Sequence, residues 1–319
     1  MRALFLDRGR LTLRDDFEPP APGPGEVRVQ VLRAGICATD LALARGYMGF
    51  QGVPGHEFVG IALEGRLRGK RVVGEINAGC GTCADCTAGD PRHCRGRTVL
   101  GIAGRPGAFA EQLTLPEANL LPVPDAVTTD AATFTEPLAA ALQIGTQVDL
   151  ARCRRALVCG DGKLGLLCAA ALARAGAAVT LCGRHPERAA FVPEVRHVQG
   201  WLDGDGAPPE TFPLVVEATG DASVLARALA FVEPRGTLVL KTTTERPATL
   251  DAAAIVVHEL TVLGSRCGRF EPALAELARG TIPVEELVAA RYPLGDAERA
   301  FAHAATRGTL KVLLDIGGG

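Results

Sequence analysis

The sequence predicts an α/β protein in which a doubly wound parallel sheet is joined to a smaller, mostly β lobe. In the N-terminal part, short apolar strands are separated by Gly/Pro turns, whereas strands and helices alternate after Asp149. Such alternation is typical of a parallel sheet covered by helices on both faces. A run of cysteines from Cys80 to Cys94 lies inside the β-rich part and predicts a metal-binding lobe there.

Size and composition limit the possible functions. The chain has 319 residues, of which 47% are hydrophobic and 22% charged, which suits two globular domains. The net charge of −2 leaves no basic excess for binding nucleic acid or anionic lipid. The sequence contains no uninterrupted apolar run of about 18 residues, so no membrane span is predicted. The N-terminus is charged and shows no apolar signal-peptide region. We therefore expect a cytoplasmic protein.

The N-terminal elements follow from alternating apolar patterns. A Pro-rich turn over 19–24 precedes an alternating strand from Glu26 to Leu32. Further strands are predicted over 56–63, 71–76 and 108–115. The segment 129–148 has helical spacing and few strand formers.

The C-terminal elements form repeated βα units. Strands are predicted over 155–160, 178–183, 212–220, 237–241 and 261–265, with helices over 163–176, 221–232 and 271–280. The tail, 283–316, holds two predicted strands around a helix and is expected to return to the first lobe. The predicted domain ranges are therefore 1–148, 149–284 and the returning segment 285–319.

Four cysteines have the spacing C-x2-C-x2-C-x7-C, at Cys80, Cys83, Cys86 and Cys94. Four thiolates at this spacing can surround one tetrahedral Zn²⁺ and leave no position for a substrate, which indicates a structural site. Disulfides, four unrelated buried thiols and an iron–sulfur cluster are the alternatives. Clustered cysteines in a protein without a secretory signal favour the metal.

A glycine-rich turn predicts a dinucleotide site. The pattern G-x-G-x-x-G begins at Gly160 and includes Gly162, Lys163, Leu164 and Gly165. It follows an apolar strand and begins an Ala/Leu-rich helix, which is the context that this motif requires. We expect the first glycine to make the tight turn, the second to admit the pyrophosphate, and the third to allow close helix–strand contact. The alternative is an ordinary βα turn.

The end of the next strand predicts which dinucleotide is bound. An Asp or Glu there would bind the ribose 2′-hydroxyl of NAD(H), but this strand ends in Gly183-Arg184-His185. Gly183 leaves room for a 2′-phosphate, and Arg184 can form charge-assisted hydrogen bonds to it. Arg188 could add a second cation. NADP(H) is therefore predicted over NAD(H), the alternative being that Arg184 is a solvated loop residue.

A third cluster has the residue types of a catalytic zinc site. Cys37 lies in AGICATD, His56 and Glu57 lie in VPGHEFVG, and Glu136 lies in FTEPLAAAL. A catalytic zinc takes three protein ligands and keeps one open position, and Cys, His and a carboxylate form a suitable set. Each residue also has a structural alternative: a small core residue, a hydrogen-bonded histidine, a buried ion-pair partner and a charge at a helix start.

With these motifs in family order, the chain resembles the zinc-dependent medium-chain alcohol dehydrogenases, a family that includes polyol and threonine dehydrogenases. The matching segments run from about residue 26 to the C-terminus and are GICATD, GHEFVG, CGTCADC, TEPLAAAL, GDGKLG, VVEATG and ELTVLGSRCG. The resemblance implies a GroES-like barrel catalytic domain at 1–148 and 285–319, with a Rossmann domain at 149–284. It also implies a homodimer or homotetramer that pairs through the predicted edge strand TVLGS.

The resemblance assigns roles to individual residues. It implies that Cys37 and His56 bind the catalytic zinc, and that Thr39 hydrogen-bonds the substrate oxygen. Glu136 would bind the zinc directly or through water, and Glu57 would be either a ligand or a residue that supports the ligands without touching the metal. With the four-cysteine lobe this makes two zincs per chain. Many relatives have a proton-relay histidine where this chain has Ala42, which weakens any inference about the substrate.

The expected reaction is hydride transfer between a small-molecule alcohol, secondary or polyol, and NADP, with a carbonyl as the other member of the couple. Zinc lowers the pKa of an oxygen that it binds and polarises a carbonyl, and the cofactor carries the redox chemistry. The alternatives are a non-catalytic NADPH-binding redox sensor or structural protein, and a zinc-free reductase of the same superfamily.

Overall fold

The structure is a computed structural model that describes residues 1–204, 206–243 and 247–317. It divides into two compact units, one formed by Met1–Glu136 with Arg269–Gly319 and the other by Pro137–Gly268. The domain limits drawn from the sequence, after residues 148 and 284, stay predictions. No helix in the described ranges has both the length and the apolar character needed to cross a bilayer.

Strands dominate the first unit, and strands alternate with helices in the second. In chain order the strands are β1 Ala3–Asp7, β2 Arg10–Arg14, β3 Glu26–Gly35, β4 Glu57–Ala62, β5 Arg71–Gly74, β6 Asn77–Ala78, β7 Thr98–Leu100, β8 Gly104–Arg105, β9 Gln112–Pro116, β10 Leu120–Pro122, β11 Arg155–Cys159, β12 Ala178–Cys182, β13 Arg196–Val198, β14 Phe212–Glu217, β15 Val232–Leu240, β16 Thr261–Gly264, β17 Val288–Pro293 and β18 Lys311–Asp315. The α-helices are α1 Ala38–Ala44, α2 Ala84–Thr87, α3 Thr129–Ala132, α4 Thr135–Gln147, α5 Lys163–Arg174, α6 Val224–Ala230, α7 Ala252–Val257, α8 Phe270–Arg279 and α9 Ala297–Ala305.

The main sheet of the first unit brings the two ends of the chain together. Its strand order is β10-β5-β4-β3-β18-β17, and β9 also pairs with β3. The C-terminal strand β18 runs antiparallel to β3, with Leu313 opposite Gly35. Strand β4 pairs with β3 on its other side, with Glu57 opposite Gly35. The residues just after β3 and at the start of β4 are therefore held beside the end of the chain.

The second unit contains a six-stranded parallel sheet in the order β13-β12-β11-β14-β15-β16. The chain starts in the middle, at β11, moves outward through β12 and β13, and then returns to β14 on the other side. This order is that of a dinucleotide-binding sheet, and ligands of such sheets bind at the carboxyl ends of the strands where the order reverses. The predicted fold class, a doubly wound parallel sheet with a mostly β lobe, is confirmed.

Some local predictions differ from the structure. The helix predicted over 129–148 is two helices, α3 and α4, with a break at Thr133 and Phe134. The hairpin β1-β2 and the small sheet β6-β7-β8 were not predicted, because these strands are short and β2 alternates between exposed and half-exposed residues without a buried face. Strand β15 begins at Val232, earlier than predicted, because it continues through Pro234 and Gly236.

Candidate active site

Three of the predicted zinc-binding residues lie together in the first unit. The potential ligand atoms of Cys37, His56 and Glu57 are all within 4.8 Å of one another. His56 and Glu57 are buried, whereas Cys37 is half-buried. The pairing of β3 with β4 accounts for this arrangement, because Gly35 lies opposite Glu57 and the chain continues from Gly35 directly to Cys37.

A fully buried carboxylate, Asp40, binds the backbone of Cys37 and lies beside the His56 ring. Its Oδ2 accepts a hydrogen bond from the Cys37 backbone N–H at 2.8 Å. Its Oδ1 accepts one from the Gly55 N–H at 3.2 Å and lies 3.4 Å from His56 Nδ1. Sequence reasoning missed Asp40, although its position three residues after Cys37, at the start of α1, is that of a helix capping box.

The charge environment of His56 suits a metal ligand. Burial alone would lower the pKa of His56, but the negative charges of Asp40 and Cys37 raise it well above its ordinary value. Its Nδ1 is buried and makes no hydrogen bond to any described residue. A metal binds the neutral ring and a thiolate, so metal binding here would release protons.

Glu57 is paired with a second residue that sequence reasoning missed. The ammonium of Lys311, on β18, donates a hydrogen bond to Glu57 Oε2, and each side chain is only 1% exposed. Burial alone would lower the pKa of Lys311, but the charges of Glu57 and Cys37 raise it above its ordinary value. The signal in the sequence was a lysine at the start of the otherwise apolar strand KVLLD.

Glu136 and Thr39 lie near this cluster in different ways. Glu136 is the second residue of α4. It is not a member of the close ligand group, but its charge is among those that raise the pKa of Lys311. Thr39 is on α1, and its hydroxyl oxygen accepts a weak hydrogen bond from the Cys37 thiol at 3.8 Å.

The donor set of this cluster fits a zinc ion. A thiol, an imidazole and a carboxylate are the ligand types found in catalytic zinc sites, and about 2.0–2.3 Å separates zinc from such atoms. Ligand atoms within 4.8 Å of one another can therefore surround one ion after small side-chain movements. Cys37, His56 and an acidic residue would hold the metal.

The four-cysteine loop forms a separate cluster with only sulfur donors. The sulfur atoms of Cys80, Cys83, Cys86 and Cys94 are all within 4.8 Å of one another. Hydrogen bonds from Thr82 lower the pKa of Cys80 to about 6, whereas burial and the neighbouring thiols raise that of Cys86 to about 12. Four sulfur atoms at this separation match a closed tetrahedral zinc site.

The glycine-rich turn has the shape expected of a phosphate-binding turn. Gly160 has a φ of +107°, and a Cβ there would lie 2.8 Å from the Ala218 carbonyl oxygen. A Cβ at Gly165 would collide with the carbonyl oxygen of Gly160. Gly162 precedes the first turn of α5 and has open space around its Cα, so a ligand can approach the helix start. Lys163 and Leu164, both half-buried, form that first turn.

The loop after β12 contains the residues predicted to select the cofactor. Arg184 is exposed, whereas Arg188 is half-buried and donates a hydrogen bond to the Asp161 carbonyl oxygen at 2.7 Å. The room that Gly183 leaves is filled by the Asp161 side chain, because a Cβ at Gly183 would overlap the Asp161 carboxyl group. Sequence reasoning did not single out Asp161, which lies inside the glycine motif itself.

Comparisons with known proteins agree with these motifs. The family description "Alcohol dehydrogenase GroES-like domain" matches residues 23–125, and "Glucose dehydrogenase C-terminus" matches residues 130–316. The chain is 33% identical to an L-threonine 3-dehydrogenase of Streptomyces avermitilis over 99% of both proteins.

Solved structures of the same fold contain nicotinamide cofactors. One is a Sinorhizobium meliloti 1021 protein described as a zinc-binding dehydrogenase and bound to NADP, with 27% identity, 98% coverage of both chains and a TM-score of 0.86. Another is an alcohol dehydrogenase of Escherichia coli CFT073 in complex with NADH, with 26% identity, 99% coverage of both chains and a TM-score of 0.86.

Proposed function

We propose that this chain, a member of the zinc-dependent medium-chain alcohol dehydrogenase family, oxidises a secondary alcohol or polyol with NADP. In reverse it reduces the matching carbonyl. The proposal narrows the family's general activity, which is action on CH–OH donors with a nicotinamide cofactor. The grouping of Cys37, His56 and Glu57, with ligand atoms within 4.8 Å of one another, is the observation that carries this proposal. L-Threonine, the substrate named for one relative, has a secondary alcohol and belongs to the proposed class.

The proposal assigns two zincs to each chain. Cys37 and His56 would bind the catalytic ion together with Glu57 or Glu136. Glu57 is the acid grouped with the two ligands, but one of its oxygens is paired with Lys311. Glu136 lies outside that close group, and its charge also acts on Lys311. Zinc content after Glu57→Gln and after Glu136→Gln decides between the two acids.

The chain's own residues would position the reactants. Zinc, when bound, supplies a Lewis acid for the substrate oxygen, and the nicotinamide donates or accepts the hydride. Thr39 would hydrogen-bond the substrate oxygen and pass its proton toward the cofactor ribose and water. This route replaces the relay histidine, because Ala42 cannot carry a proton. Asp40 would keep the His56 ring oriented throughout, as second-layer carboxylates do in zinc sites.

NADP(H) is proposed over NAD(H) because the loop after β12 carries an exposed arginine, Arg184, and no acid directly after the strand. The strand has no terminal acid of its own to bind a ribose 2′-hydroxyl or to repel a 2′-phosphate. Arg184 can offer two parallel hydrogen bonds to a phosphate. Tighter binding of NADH than of NADPH in low-salt calorimetry would contradict this part of the proposal.

The purified protein should turn over a panel of secondary alcohols and polyols that includes L-threonine, with absorbance of the reduced nicotinamide as the measurement. Cys37→Ser should abolish turnover while leaving NADPH binding nearly unchanged, because the two sets of residues belong to different sequence regions. A matched control is Cys153→Ser, since Cys153 belongs to neither cysteine cluster. Full activity after complete removal of the catalytic metal would overturn the mechanism.

We also propose a homodimer or homotetramer that assembles through β16. This strand is the last in the order of the six-stranded sheet, and the nearby helix α7 exposes Val256 and Val257. Edge strands with unpaired backbone groups commonly pair with a second copy. Sedimentation of the wild-type protein and of Val256→Asp tests this assembly.

We propose a cytoplasmic location as well. Ten free cysteines agree with a reducing compartment.

A further inference from the structure

The carboxylate of Asp161 lies where the second strand of the parallel sheet lacks an acid. Asp161 is the second residue of the glycine motif, and its side chain occupies the space above Gly183 at the carboxyl end of β12. The residue is only 7% exposed. The glycine-rich turn after β11 thus places a carboxylate at the end of β12, where the sequence of β12 itself has no acid.

Neighbouring groups hold this carboxylate in place. The His185 backbone N–H donates a hydrogen bond to Asp161 Oδ2 at 2.6 Å. Arg188 Nη1 donates to the Asp161 carbonyl oxygen and lies 3.7 Å from Oδ1. The positive charge of Arg188 is therefore partly compensated by Asp161 and is less available to a 2′-phosphate than the sequence suggested.

A histidine ring faces the same carboxylate through a nitrogen that has no hydrogen-bond partner among the described residues. His197 Nε2, on β13, lies 3.6 Å from Asp161 Oδ2, which is too long for a hydrogen bond. The side chain is 8% exposed, and within the described ranges this nitrogen has no hydrogen-bond partner. His197 therefore leaves acceptor capacity on the Asp161 carboxylate, whose Oδ2 accepts from the His185 N–H. A sugar hydroxyl is a donor that can use this capacity.

We propose that Asp161 is a specificity-determining residue for the dinucleotide. Its carboxylate accepts a hydrogen bond from a free ribose 2′-hydroxyl and repels a 2′-phosphate, so it opposes Arg184. The protein therefore uses NADH as well as NADPH, and its preference between them is smaller than Arg184 alone would give. This inference rests on the proposed function only in requiring that a nicotinamide dinucleotide binds at the glycine motif.

The test is a comparison of cofactor selectivity in wild type and Asp161→Asn. Asparagine keeps the size of the side chain and an oxygen that can accept from the His185 N–H, but it removes the negative charge. The dissociation constants of NADPH and NADH are measured by fluorescence titration at low salt, where charge effects are largest. Loss of the carboxylate should raise the selectivity for NADPH over NADH by about tenfold, a typical effect of one nearby charge.

Glu187→Gln is the matched control. It removes the same charge from the adjacent loop, the one after β12, but the Glu187 side chain is exposed and lies beside the His185 ring instead of the strand end. Its selectivity should change by less than about twofold. An unchanged ratio in Asp161→Asn, or an equal shift in Glu187→Gln, would overturn the proposal. Should thermal melting show that Asp161→Asn does not fold, Asp161→Ser removes the charge without crowding Gly183.

The outcomes also separate this inference from the proposed NADP(H) preference. The wild-type ratio of dissociation constants tests that preference. The change of the ratio between wild type and Asp161→Asn tests the role of Asp161, whichever cofactor the wild type prefers. Neither measurement needs an alcohol substrate, so failure to find the substrate affects neither result.

Discussion

Glu57 and Lys311 form an ion pair in which neither side chain is more than 1% exposed. The two residues come from opposite ends of the chain, on β4 and β18, and both strands pair with β3. The pair lies beside Cys37 and above the Phe134 ring, whose centre is 5.6 Å from the Lys311 ammonium. The last strand of the protein therefore supplies the positive charge that allows a buried acid next to the candidate zinc ligands.

Lys311→Met should destabilise the protein strongly. Methionine has a similar length but leaves the Glu57 carboxylate buried without its counter-charge. Breaking a buried pair in this way costs about 3–5 kcal/mol. Urea unfolding of the metal-free protein measures the change in the free energy of unfolding.

Two further variants identify the cause of that loss. Lys311→Arg keeps the positive charge and should be much less destabilised than Lys311→Met. Adding Glu57→Gln to Lys311→Met removes the unpaired charge and should recover much of the stability. If the double variant is as unstable as Lys311→Met, lost packing and not the unpaired charge explains the effect.

Asp40→Asn should weaken zinc binding at the catalytic site. The variant keeps an oxygen that can accept from the Cys37 N–H but loses the negative charge 3.4 Å from His56 Nδ1. Loss of a carboxylate behind a histidine ligand typically costs about 10–100-fold in metal affinity. Competition with a chelator measures this, with the zinc of the four-cysteine lobe as an internal reference.

The exposed residue Asp125 gives a matched control for that measurement. Asp125→Asn changes the net charge by the same amount and should bind zinc as the wild type does. Equal affinities in Asp40→Asn and Asp125→Asn would show that Asp40 does not support the metal site.

Sequence patterns predicted those parts of the fold and the sites whose residues lie close together in the chain. The spacing of Cys80 to Cys94 predicted a cluster because those residues are near neighbours in the chain, and the glycine motif lies within one strand–turn–helix unit. The apolar periodicity predicted the parallel sheet for the same reason.

The missed residues act through pairings between distant segments. Lys311 meets Glu57 only because β18 lies beside β3, a register that no local pattern specifies. Asp161 reaches Gly183 through the parallel pairing of β11 with β12. Asp40 is an exception: its capping-box position after Cys37 was visible, but its contact with His56 required the fold.

Cys83→Ala should reduce stability before it reduces hydride transfer. The four-cysteine cluster has no open position for a substrate, so its proposed metal links segments of the loop and takes no part in the chemistry. The variant should contain about one zinc fewer per chain and should melt at a lower temperature, while early turnover is retained. Cys153→Ala, outside both clusters, should change neither zinc content nor stability to a comparable extent. An unchanged melting temperature in Cys83→Ala would contradict the structural role.

Glu75 should make the stability of the folded protein depend on pH. Its Oε1 accepts a hydrogen bond from the Phe270 N–H at the start of α8, and the residue is 8% exposed. Burial and the nearby charge of Glu271 raise the pKa of Glu75 above its ordinary value of 4.5, although Phe270 N–H and Arg269 partly oppose this. The folded protein therefore binds the proton more tightly than the unfolded chain does. The contribution of Glu75 to stability consequently falls as the pH rises from 4.5 through the raised pKa, and it is constant above that range.

Glu75→Gln should remove this fall, because glutamine is uncharged at every pH and its carbonyl oxygen can still accept from the Phe270 N–H. The free energy of unfolding of the variant, relative to wild type, should therefore increase with pH between about pH 4 and pH 8. The two proteins should be nearly equal at the acidic end, where Glu75 is protonated. Urea unfolding at several pH values measures the difference, and Glu18→Gln, at an exposed position, is the control that should show a much smaller trend. The prediction fails if the stability of Glu75→Gln relative to wild type falls as the pH rises. In that case the Phe270 N–H and Arg269 stabilise the charged carboxylate by more than burial destabilises it.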